Sequence, residues 1–203
     1  MKKVSSVLAL MLLLLPALAG CGRVRYPKYY TLNVPPPPDP VAAESPRTSI
    51  AVREFQCPAY LRQGPIVYRT TPEEIGFYEY HRWAADPPNF VTSAVVDQLR
   101  ASGRYSAVSV YNGRAAEEYI FSGKLERLQE VDYLSGVKVE VAISAQITRV
   151  KSGATVWSNA VSEMGTVTQR DIPGVVSQMN RTMAVAIIKL LSTVPAPSAN
   201  NRQ

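Results

Sequence analysis

Few side chains in this chain are equipped for chemistry, and the most informative is Cys21, which closes the segment Leu18-Ala19-Gly20-Cys21. A thiol that follows small residues at the end of a short apolar segment can take a diacylglyceryl group before the chain is cut in front of it. Lys2 and Lys3 supply the basic start, residues 7–19 the apolar run, and Ala19-Gly20 the small residues a signal peptidase needs. At 13 residues the run is shorter than the about 20 that span a bilayer. Residues 1–20 therefore read as a lipoprotein signal peptide, cut between Gly20 and Cys21, and residues 21–28 as a lipidated tether. Burying an acyl chain contributes roughly 0.8 kcal/mol per CH₂, so two or more chains make the attachment effectively permanent.

The remaining candidates for chemistry are sparse. Once Cys21 is acylated, Cys57 has no thiol to pair with and reads as a small buried residue. His81 is the only histidine, which excludes a His-rich metal site, and Cys57 lacks the neighbours of a zinc set. Set in Tyr80-His81-Arg82-Trp83, with no Gly-x-Ser-x-Gly turn anywhere, His81 reads as a packed or hydrogen-bonded aromatic and not as a catalytic base. No glycine-rich loop links a strand to a helix, so phosphate cradling has no support. The pairs Glu73-Glu74 and Glu117-Glu118 read as solvated turn residues. No catalytic residue, metal or cofactor is expected.

The net charge of +6 is mild, two units of it leave with Lys2 and Lys3, and no basic stripe concentrates the rest, so a nucleic-acid partner is not expected. The chain beyond Cys21 is long enough for one domain with a full core. Tyr29 to Val34 has the content of a strand, and the prolines from Pro35 to Pro40 stop it. That run could be a spacer off the membrane or a connection between two strands of one sheet; the second reading is preferred, because Tyr29–Val34 looks like part of the fold.

Ser49 to Phe55 reads as a strand, and Ile66–Thr70 with Gly76–Tyr80 as a hairpin. Asp86-Pro87-Pro88 opens a helix, with Asp86 as its cap, and Gly103 ends it; Val91, Val95 and Leu99 form its packing stripe. Tyr105–Tyr111 is a short strand and Glu118–Val131 a longer, less regular one. The clearest alternation is Val137, Val139, Val141, Ile143, Ala145 and Ile147, one buried face. Lys151-Ser152-Gly153 turns this strand into a partner, Ala154–Met164, making an antiparallel meander. A last helix from Asp171-Ile172-Pro173 to Ser192 shows the seam Ile172, Val176, Met179, Met183, Ile187 and Leu190, which reads as core-facing, with docking on another protein as the sharper alternative. Residues 29–192 thus form a single α/β (α+β) domain with a mixed, largely antiparallel sheet and two main helices, and residues 193–203 a flexible polar tail.

Aromatics are the remaining signal. Tyr60, Tyr68, Phe77, Tyr78, Tyr80 and Trp83 fall close together, accompanied by Arg62, Arg69 and Arg82. Tyr, Trp and Arg dominate protein interfaces, so Tyr60, Tyr68, Arg69, Tyr78, Tyr80 and Trp83 are the candidate partner-binding residues, with sheet packing as the plainer reading.

At these residues the chain resembles the ABC-type transport auxiliary lipoprotein family, which includes the PqiC lipoproteins. The resemblance is carried by Tyr29-Tyr30-Thr31-Leu32, Ile50-Ala51-Val52, Pro58-Ala59-Tyr60-Leu61, Ile66-Val67-Tyr68-Arg69 and Phe77-Tyr78-Glu79-Tyr80-His81-Arg82-Trp83-Ala84 in that order, then Leu99–Gly103 and Phe121–Glu126. It implies a periplasm-facing, non-catalytic lipoprotein on the outer membrane. Its partners would be an MCE-domain protein and an ABC permease and ATPase that move phospholipid or other apolar molecules, and homo-oligomerisation would suit such rings. Gly22, in place of Asp, is compatible with outer-membrane sorting. Cys57 departs from the small or polar residue expected there. A periplasmic lipid carrier and a structural or assembly lipoprotein are the competing readings.

Overall fold

The computed structural model describes residues 25–35, 48–114, 116–133 and 135–195. The expected signal peptide, Cys21, the proline run from Pro36 onward and the last eight residues lie outside the described residues. The domain is an α+β fold, a mixed and mostly antiparallel sheet of eight strands with two helices. In chain order these are β1 (Lys28–Tyr30), β2 (Ser49–Val52), β3 (Pro65–Arg69), β4 (Gly76–Trp83), α1 (Pro87–Ala101), β5 (Ala107–Val110), β6 (Tyr119–Val131), β7 (Lys138–Arg149), β8 (Thr155–Thr166) and α2 (Ile172–Ser192).

Strand β6 organises the sheet. One of its edges pairs antiparallel with β7 along its whole length, and β7 pairs in turn with β8, the expected meander. The other edge is shared: Tyr119–Phe121 take β2 in parallel and Glu130–Val131 take β3. From these the sheet continues as β2–β5 and as β3–β4–β1. Between the two halves β6 carries a register shift at Leu125/Arg127. The shift returns Leu128 to the face of Leu125, although the two lie three residues apart, a spacing a regular strand puts on opposite faces.

Alternation sends Phe121, Leu125 and Leu128 of β6 and Val139, Val141, Ile143 and Ile147 of β7 to one face, where all are buried. The seam of α2 covers them, with Val176, Met179, Met183, Ile187 and Leu190 buried and Ile172 packed at its rim. Gly165 of β8 allows the helix to approach: a Cβ there would lie 2.0 Å from the Gln178 amide nitrogen and 2.3 Å from the Thr182 hydroxyl. The carboxylate of Asp171 accepts from the Gly174 N–H at 2.8 Å and caps α2. Helix α1 covers the β2–β5 side through Val91, Val95 and Leu99.

Four expectations change. The strand expected over Tyr29–Val34 ends at Tyr30, because the Asn33 N–H donates to the Asn180 side chain of α2 and Leu32 turns into the core. The strand expected over Ser49–Phe55 ends at Val52; the Phe55 N–H donates to Thr92 Oγ1 of α1. Asp86 precedes α1 but its side chain accepts no capping bond: Pro87 and Pro88 have no N–H to offer, and the Asn89 N–H donates to the Asp86 backbone carbonyl at 3.0 Å. The packed domain runs past Ser192, with Val194 buried and its carbonyl accepting from Arg104 at 2.8 Å.

Candidate functional site

The six candidate side chains do not form one patch. Tyr68 and Arg69 are consecutive in β3 and point to opposite faces of the sheet. On the helix side, the Tyr68 and Tyr78 rings pack at 4.8 Å, and the Tyr78 hydroxyl donates to Glu130 Oε2 at 2.9 Å. His81 extends this row: its ring meets Tyr78 edge-on, and the Tyr30 hydroxyl lies 2.8 Å from its Nδ1. The reading of His81 as a packed, hydrogen-bonded aromatic therefore holds. Tyr80 is half-buried in β4. Trp83 is only 4% exposed and belongs to the core, so it packs the fold instead of presenting a surface; its indole N–H has no acceptor among the described residues. Cys57 is a half-buried free thiol against the core edge.

On the opposite face Arg69 Nε donates to Gln129 Oε1 at 3.0 Å, Gln129 Nε2 to Glu140 Oε2 at 2.8 Å, and Arg127 Nε to Glu140 Oε1 at 2.6 Å. Tyr60 closes this chain of polar groups, its hydroxyl donating to the Glu126 carbonyl at the β6 shift. Beyond it the sheet carries an open groove of about 680 Å³, lined by Arg53, Gln56, Lys124 and Gln146 together with Ala145 and Ala160 among others. Among the described residues no group of His, Cys, Asp or Glu could hold a metal ion, and no helix is long and apolar enough to cross a membrane.

Glu130 and Tyr78 both titrate away from their ordinary ranges in this packing. Burial, then Asp132 nearby, raises the Glu130 pKa above the ordinary glutamate range, while the bond from Tyr78 opposes the shift; burial and the Glu130 bond also raise Tyr78. A carboxyl whose pKa is raised on folding binds its proton more tightly in the native state, so its contribution falls as pH rises from the ordinary range through the raised value. Glu130→Gln is expected to remove that loss. Urea midpoints of the two proteins should diverge in favour of the variant as pH rises through this window and stay parallel above it. Glu126 acts in the opposite sense: Lys124 lowers its pKa, giving stability that disappears as pH falls through the depressed value, and it is common to both proteins.

Sequence reasoning missed Gln129, Glu130 and Glu140, although the three-residue step from Leu125 to Leu128 was a legible sign of an irregular strand. It also missed the strand edge at β8. Of the three sheet edges, β1 has 3 residues and β5 has 4, whereas β8 has 12 and, among the described residues, pairs only with β7. It contains no Pro, Lys or Arg, and its one charge, Glu163, is held by Lys189 Nζ at 2.8 Å. Edges are normally blunted by such residues. Val156 and Met164 of β8 and Val185 and Ile188 of α2 are exposed, and Met164 and Val185 share a small depression with Gln178 and Arg181 at the C-terminal end of this edge.

The geometry is that of an α+β sheet domain with its two helices packed over the core and one long edge strand. The model of the ABC-type transport auxiliary lipoprotein component matches residues 30–187, and the chain belongs to that family. A Xanthomonas campestris protein of known structure shares 18% identity over 81% of this chain and 92% of its own, with a TM-score of 0.69. A second solved protein, uncharacterized, shares 12% over 84% and 99%, with a TM-score of 0.66. At these identities the likeness is one of fold. No curated protein matches the chain.

Proposed function

We propose that this auxiliary component is a non-catalytic, lipid-anchored lipoprotein of the outer membrane. It docks an MCE-domain protein, with its ABC permease and ATPase, for transport of phospholipid or another apolar substrate. The observation that carries the reading is the β8 edge with its apolar shoulder on α2, a surface suited to adding a strand or segment of another protein. Acyl groups on Cys21 would supply position. Tyr60, Arg69 and Tyr80 are the aromatic and cationic contacts best placed to add specificity; Tyr68 and Tyr78 support them from behind. The filled core beneath α1 and α2 favours a positional role over carriage of a lipid inside the domain.

Crosslinking of the tagged protein in its native membranes, followed by mass spectrometry of bound proteins and lipids, tests this, with Cys21→Ala as the control for anchoring. An MCE-domain partner is the expected result; one phospholipid per chain with no such partner would establish the carrier instead. Combining Met164→Lys with Ile188→Glu places charges on the edge at exposed positions. The pair is expected to reduce partner recovery about tenfold or more, as loss of an interface centre does, while the urea midpoint stays unchanged.

A further inference from the structure

Four aromatic side chains are exposed among the described residues, Tyr26, Tyr29, Tyr133 and Phe77, with exposures of 79%, 62%, 39% and 36%, and three of them, Tyr26, Phe77 and Tyr133, gather at one end of the domain. Topology brings them together. Strand β1 runs parallel to β4 with Lys28 opposite His81, so the residues before Lys28 lie toward the start of β4, where Phe77 follows the β3–β4 turn. Strand β6 ends beside the same turn: Val131 pairs with Arg69, and the Asp132 N–H donates to the Arg69 carbonyl at 2.8 Å, which sets Tyr133 there.

The chain enters the domain at this end. Only residues 22–24 separate Cys21 from Arg25, and a step of four residues spans at most about 14 Å. An acyl group on Cys21 would therefore hold the aromatic end within reach of the headgroups. Charges here are mixed: Lys28 of β1 and Lys138 of β7 stand at this end with Glu79 of β4, with Asp132 just after β6 and with Glu73 and Glu74 of the β3–β4 turn. Such a surface suits neutral, zwitterionic headgroups better than an anionic film. Tyr and Phe, apolar in body and in Tyr polar at the tip, suit the boundary between headgroup and acyl chain.

We propose that this end of the domain rests on a zwitterionic phospholipid surface, with Tyr26, Phe77 and Tyr133 seated among the headgroups. The contact rests on the anchored reading above and deepens it, because anchor and aromatics together fix the domain's orientation. The Lys151–Gly153 turn, at the far ends of β7 and β8, then stands farthest from the bilayer, and the β8 edge rises from the membrane toward it.

The test uses the mature acylated protein in phosphatidylcholine vesicles with brominated acyl chains. Tyr26→Trp, Phe77→Trp and Tyr133→Trp report on this end, Val110→Trp and Val156→Trp on positions remote from it, and the parent protein supplies the background of Trp83 and Trp157. Quenching at the first three sites is expected to exceed that at the controls by about twofold or more, unchanged at about 0.5 M salt because no net charge drives the contact. Equal quenching at both sets, or none at the first three in protein that floats with the vesicles, overturns the proposal and leaves the anchor standing. Failure to float, with an unmodified Cys21 by mass, overturns the anchor and this contact with it.

Discussion

Phe121→Ala is expected to lower the stability of the domain by about 3–5 kcal/mol, the range for deleting a buried aromatic ring where the site cannot collapse. Phe121 is fully buried on β6, the strand that every other part of the sheet depends on. Its ring lies between Phe55, 6.1 Å away by centroid, and Trp157, 5.9 Å away, so truncation removes the centre of a row of three aromatics. The backbone on both sides is held by the ladders to β2 and β7, which keeps the walls of the cavity apart. Urea unfolding followed by Trp157 emission checks this, with Phe77→Ala, at a half-exposed position outside the core, expected to change the midpoint little. A loss below 1 kcal/mol for Phe121→Ala would show that the sheet centre can relax.

Gly123→Ala adds a single methyl group and is nevertheless expected to cost about 1–3 kcal/mol, the range for overpacking a filled core. The Phe55 ring lies against the Gly123 backbone, and a Cβ built there would come within 2.3 Å of its Cε1 and Cζ. Phe55 cannot withdraw easily: it is fully buried, and its N–H is committed to Thr92 of α1. Shortening the ring should relieve the clash, so Phe55→Leu with Gly123→Ala is expected to lose less than the two single losses added together. A double-mutant cycle from urea midpoints reads this coupling directly, and strict additivity would mean that the backbone moves instead of the ring.

These two expectations depend on contacts that the order of residues only partly announces. The alternation from Val137 to Ile147 declared both the strand and its buried face, since a side chain in a strand has only two directions to choose from. The seam from Ile172 to Leu190 did the same for α2. The ends of elements were harder to read, because they are set by competition for N–H groups. Asn33 and Phe55 give theirs to Asn180 and Thr92, partners distant in the chain, and the strands stop early for that reason. At the aromatic candidates, composition identified residues of the right kind without assigning faces. The sheet placed Tyr68 with Tyr78, Arg69 with Tyr60 on the opposite side, and Trp83 in the core.

The order of residues was enough to establish the family, the α+β character, the meander and the two packing helices, together with the absence of any recognisable catalytic motif. All of these are written in local periodicity and short words. Folding was needed to decide which strand would be central, which edge would be left long and unpaired among the described residues, and which exposed aromatics would share one end of the domain. Strand order depends on pairings between segments far apart in the chain, and a hydrogen-bond ladder carries almost no record of its partner in side-chain identity. The edge of β8 and the aromatic end are consequences of that order.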